Sequence, residues 1–350
     1  MPTEMMVEAP SDIASDQREA DLSACNLGLR LGLAPASVFA LGLIFDWPVF
    51  YLAAVFAALF VQAPAPMPAL VGLRLLGLSA AMLAVAWLLT AALLPYPIVF
   101  LTGIALGLGA ALRAAVRGAN VLVVVLAMLA ALLVPFLGKV STVLAGLISI
   151  WLLINMGLAM LAGWAAFALF PAGQTPGTDT KPDGPGFDPE RRLARMCLVS
   201  VPFALVFFAI ESGAALVLIF VAILATQLAA STAAGPVVAK GMMVANVLGG
   251  VAAILIYEAL VIAPFLPLAI LLVFAACLFF AGQAAAGDPL AGSALTAVLI
   301  LVGGSLGPIS DGAEVKLLAR LWQVGLALAY ILTAFVLVDR WLPEKKHSLD

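Results

Sequence analysis

Histidine and cysteine are almost absent from this chain: one histidine, His347, and three cysteines, Cys25, Cys197 and Cys277, occur among 350 residues. Metal centres and acid–base enzymes need clusters of His, Cys or carboxylate. With no such cluster and no CxxC spacing, the chain reads as a non-enzyme with no catalytic residue, no metal and no cofactor. Its cysteines are expected to be free and reduced. Charge is scarce as well. Asp, Glu, Lys and Arg make up 10% of the residues, the net charge is -3, and the basic residues are scattered, which excludes a nucleic-acid footprint. Lys139 follows Gly138, but the upstream glycine of a phosphate-binding loop is missing and Val140 stands where a hydroxyl residue must follow the lysine. No ATP site is expected. A basic segment running into an apolar stretch is also missing at the amino terminus. Residues 1–26 carry Glu4, Glu8, Asp12, Asp16, Glu19 and Asp21 against Arg18, and read as an acidic cytoplasmic tail rather than a cleaved signal.

What the chain has in abundance is apolar surface. The hydrophobic fraction is 65% and the mean hydropathy +1.20, more than a soluble domain can cover with so few charges. A bilayer removes the difficulty, because a helix of about 20 apolar residues needs no polar face in lipid. Such runs lie at 27–45, 48–61, 69–94, 97–112, 119–137 and 142–170, each bounded by Pro, Gly or charge. The hydrophilic stretch 172–192 is a cytoplasmic linker. A second set follows at 193–210, 213–230, 234–260, 265–285, 290–306 and 315–338, before a short tail at 343–350. The expected fold is an all-α integral membrane protein with about twelve transmembrane helices, six in 27–171 and six in 193–342. Lys and Arg concentrate at one end of these spans, leaving Lys139, Lys316 and Arg320 at the other; the positive-inside rule then puts the linker and both termini in the cytoplasm.

The two sets repeat each other. Arg30, Asp46 and Gln62, the charged and amide side chains between Leu27 and Met67, recur as Arg195, Glu211 and Gln227, each 165 positions later. Arg74 falls opposite Lys240 after a one-residue slip. An even number of spans per set gives both halves one orientation, so the six-helix repeats are parallel, with substrate expected between them.

With an arginine opening the first helix of each half, an acid after it and a basic residue opening the third span, the chain resembles the FUSC-like superfamily. LRLGLAP at Leu29 and VGLRLLG at Val71 carry the resemblance over nearly all of the hydrophobic chain. That group includes fusaric acid resistance proteins and bacterial aromatic acid exporters, and is related to plant malate-transporting anion channels. The chain departs from the larger members, which carry a substantial cytoplasmic domain; here the linker up to Arg192 and a short tail stand in its place, as in a short form. The resemblance implies efflux of small organic, including aromatic, acids across the bacterial inner membrane, often with a periplasmic adaptor protein as partner.

Ionisable and amide groups within the spans are the candidate site residues, because each is costly in lipid. Arg74 and Lys240 would converge on a central cavity and hold a carboxylate; the plainer alternative is that both reach back to the cytoplasmic interface. Lys316 and Arg320 share a helical face that suits anion release, or else pair with Asp311 and Glu314. Gln62 and Gln227 bind substrate or cross-link helices, an ambiguity shared by Asn155 and Asn246. Asp46 and Glu211 are the candidate proton-coupling groups, or ordinary carboxylates at the outer interface. Arg113 and Arg117 read as topology determinants. Gly28-x-x-x-Gly32, Gly103-x-x-x-Gly107 and Gly303-x-x-x-Gly307 read as close-packing motifs. An anion channel and a non-transporting scaffold remain as alternative functions.

Overall fold

The computed structural model describes residues 10–172, 189–210 and 235–306, together with residues 326, 329–330, 333–334, 336–338 and 340. Every regular element among them is helical. Helix α1 spans Pro10–Phe45, α2 Phe50–Val61, α3 Ala69–Leu93 and α4 Pro97–Val116. A broken helix follows, with α5 at Val121–Met128, one π turn at Leu129–Leu133 and α6 at Val134–Val140. Then come α7 at Thr142–Leu169, α8 at Pro189–Ile210, α9 at Gly235–Ile262, α10 at Leu266–Ala285 and α11 at Ala291–Leu306.

The helices begin and end where backbone chemistry requires. Pro97 opens α4, where its missing N–H costs nothing. Asn120 caps α5 by accepting from Leu122 N at 2.9 Å, and Ser141 caps α7 by accepting from Leu144 N at 3.3 Å. Gly118 and Gly287 supply the left-handed residue in the turns after α4 and α10, and each is followed by an Asx residue, Asn120 or Asp288, that accepts from the N–H two residues on. The first helix begins before the first apolar run. It runs back through the acidic segment to Pro10, because Ala, Leu, Glu, Gln and Arg all favour a helix whatever their polarity.

Among the described residues, eight helices are long and apolar enough to cross a membrane, counted from Leu22 in α1 and with α5 and α6 taken as one. These are the elements of a multi-pass membrane protein. The helices α2 and α11 are apolar but shorter. The spans expected at 213–230 and 315–338 lie outside the described residues, apart from scattered positions of the last. Large apolar side chains such as Ile98, Leu106, Val143 and Ile262 point outward, an exterior suited to lipid.

Hydrogen bonds tie matching helix ends together. At one end Asn26 Nδ2 donates to the Pro171 carbonyl at 3.2 Å and Trp164 Nε1 to that of Met67 at 2.7 Å. At the other, Trp87 Nε1 donates to the Thr142 carbonyl at 2.9 Å and Lys139 Nζ to that of Phe208 at 3.0 Å. Three cores fill the interior. One joins α1 and α2 to α9, α10 and α11; a second holds α2, α3, α5 and α7; a third joins α4 and α5 to α8. Helix α1 therefore packs antiparallel on α10, with Gly28 beside Ala285 and Gly32 beside Leu278. Helix α8 packs antiparallel on α4, with Phe208 against Phe100.

Candidate functional site

The turn between α1 and α2 is built against the backbone's preference. Asp46 and Val49 both take left-handed φ values, 48° and 51°, which for side chains other than glycine cost about 1–2 kcal/mol each. A buried amide holds them there. Trp47 Nε1 donates to Asn155 Oδ1 at 2.9 Å, while Asn155 Nδ2 donates to the carbonyls of Pro48 at 3.4 Å and Val49 at 3.3 Å. Asn155 is fully buried at the midpoint of the 28-residue α7. With a rise of 1.5 Å per residue, the turn thus sits roughly 20 Å short of the Thr142 end of α7. Helix α2 has 12 residues and is about 18 Å long, too short to cross a bilayer. Left-handed side-chain-bearing residues held in place by surrounding bonds cluster at functional sites.

Asp46 is exposed at this turn and lines a cavity of about 370 Å³ with Leu43, Tyr257, Phe265, Leu266 and Leu306. The cavity lies between α1 and the α9–α10 turn. A second cleft, about 410 Å³, runs between α3, α4 and the π turn. It is nearly all apolar, floored by Gly103 and Gly107, and its one hydroxyl, Thr90, already donates to the Ala86 carbonyl of its own helix at 2.7 Å.

Arg30 lies deeper in α1. It is 4% exposed, its guanidinium carbon stands 4.4 Å from the ring centre of Phe167 on α7, and its Nε and Nη1 are buried with no hydrogen-bond partner. Burying such a cation costs several kcal/mol, of which the aromatic face returns about 2. Arg195, the matching residue of α8, is also buried.

Among the expected site residues, the side chains of Arg74, Gln62 and Asp46 lie within the described residues. Arg74 is exposed on α3 beside exposed Leu70, Val71 and Leu73, and lines neither cavity. Gln62 is exposed at the end of α2, where its backbone N–H bonds to the Ala58 carbonyl at 3.3 Å. Lys240 belongs to α9, and its side chain lies outside the described residues, as do Gln227, Glu211, Lys316 and Arg320 altogether. Arg113 and Arg117 are exposed at the end of α4. Asp46, read as a proton-coupling group or as a carboxylate at the outer interface, stands in the turn that Asn155 holds at the middle of α7. Sequence reasoning passed over Arg30 as a site, although its recurrence as Arg195 was the available signal. Among the described residues no three His, Cys, Asp or Glu gather as metal ligands.

A family model described as "Protein of unknown function (DUF2955)" matches residues 28–164, from the first membrane turns of α1 into α7. No curated protein matches the chain. No solved structure matches it either.

Proposed function

We propose that this protein is a secondary transporter that exports small organic acids, aromatic ones among them, across the bacterial inner membrane. Both termini face the cytoplasm, and the anion binds between two parallel six-helix repeats. The observation that carries this reading is the exchange of partners: α1 packs on α10 while α8 packs on α4. In the repeat numbering, the first helix of each half lies on the fourth helix of the other. Three further features support it. The Gly118–Asn120 turn after α4 has its like in Gly287–Asp288 after α10. The family match covers one half nearly end to end. The cavity at Asp46 lies between the halves and is of the size of ligand pockets, about 300–1,000 Å³.

In this mechanism the apolar walls of the cavity, Leu43, Phe265, Leu266 and Leu306, take the hydrophobic body of the acid. Asp46 takes up or releases the coupling proton, with Glu211 as its counterpart, and the strained turn lets the α1–α2 hairpin shift against α7. A periplasmic adaptor is the partner this reading calls for.

The test is flux of labelled benzoate from vesicles holding the purified protein. Efflux should rise several-fold under an imposed pH gradient, and Asp46→Asn should remove the gradient dependence. Movement indifferent to the gradient would make the protein an anion channel, and no movement would make it a scaffold.

A further inference from the structure

We infer that Arg30 is a binding residue for an oxyanion carried on a hydrophobic body, a carboxylate or a phosphodiester, held between α1 and α7 beside Phe167. This place lies within residues 27–171, about 24 Å along α1 from the Asp46 cavity, so it is an anion site separate from that cavity, and it rests on the transport reading for the identity of the carboxylate. A guanidinium holds its charge and presents five donors, so burial without a counter-ion is unfavourable unless an anion fills the place. Here Nε and Nη1 are sealed from solvent and unpaired, and no ion-pair partner exists among the described residues. Asn26, one turn earlier, is already committed to the Pro171 carbonyl. The surroundings are apolar: Leu31, Ala34 and Phe167 belong to the same core, and the aromatic ring covers one side of the cation. A guanidinium so placed favours a forked, planar acceptor over a small hydrated ion. Its place is one helical turn inside the end where Asn26 meets Pro171. That end is cytoplasmic in the proposed topology, within reach of both a cytosolic acid and a lipid phosphate.

The full chain in a non-ionic detergent is heated with sodium benzoate as the carboxylate probe, phosphatidylglycerol as the phosphodiester probe, and sodium chloride as the ionic control. Benzoate or phosphatidylglycerol should raise the unfolding midpoint by about 3–6 °C at saturation, and sodium chloride should not. Arg30→Met should unfold no earlier than wild type without ligand, since it removes the unpaired charge, and should lose the shift. Arg30→Lys, which keeps a point charge, should retain less than half of it and carries the test if the Met variant does not fold. A benzoate shift lost in the variant supports the site with a transported acid as occupant. A shift confined to phosphatidylglycerol supports the site with lipid as occupant. If neither probe moves the wild type, or if Arg30→Met responds as the wild type does, the inference is overturned. Benzoate flux in vesicles still decides transport separately.

Discussion

Two helix seams, α1 on α10 and α8 on α4, are built from opposite materials. Where α1 meets α10, the contact is made by absent side chains: a Cβ on Gly28 would stand 3.3 Å from that of Ala285, and one on Gly32 would stand 2.8 Å from Leu278 Cδ2 and 3.1 Å from its Cα. Where α8 meets α4 and α6, the contact is made by rings. Phe100 and Phe208 meet edge to face at 6.1 Å, Phe136 and Phe207 lie 6.3 Å apart, and Lys139 closes the end on the Phe208 carbonyl. Without a hydrophobic drive in lipid, helices associate through dispersion at close approach, and small residues provide it by bringing backbones together. Rings provide it by interdigitating at a wider spacing, where rotamer changes absorb small displacements. The α1–α10 seam is therefore the fixed one, and the α4–α8 seam the one that tolerates movement.

Substitutions that treat the seams alike should separate them. The largest effect is expected from Gly32→Leu, which has no room at all: stability should fall by about 3 kcal/mol or more, seen as loss of the monodisperse folded peak and of the thermal transition. Phe208→Leu keeps most of the volume of its seam and should cost about 1–1.5 kcal/mol, measured as a shift of the unfolding midpoint. Equal losses in the two variants would abolish the distinction between seams. The smallest effect is expected from Lys139→Met, which removes the ammonium's hydrogen bond to the Phe208 carbonyl at an exposed helix end. It should cost less than about 1 kcal/mol and should raise amide exchange in the last turn of α8 without reaching α1.

Much of the scaffold was legible because punctuation and hydropathy act locally. The runs expected at 69–94 and 142–170 are α3 and α7 to within a residue, set by Pro68, Ser141 and the loss of apolar character after Phe170. The π turn at Leu129–Leu133 was hidden, since the broken ladder upstream of Pro135 leaves no trace in a uniformly apolar run. Asn155 was seen as an amide with two uses; the choice between them depended on Trp47 and Val49, more than 100 positions away. Arg30 was visible as a repeated charge, but its depth was not. Whether an arginine reaches the interface or lies against Phe167 depends on which face of α1 meets α7, and hydropathy carries no such information. Arg74 shows the converse, a charge whose position in a span suggested convergence and whose face of α3 is exposed.

The fixed seam also sets a timetable. Gly28 and Gly32 emerge early from the ribosome, yet the surface they are shaped to meet, at Leu278 and Ala285, is made about 250 residues later. At roughly 5–20 residues per second that is a wait of about 12–50 s. During it the small-residue face of α1 lies open to any helix already inserted. The bond from Asn26 to Pro171 and the core shared with α2 and α7 are complete within the first 171 residues, so they can park α1 in place until α10 arrives.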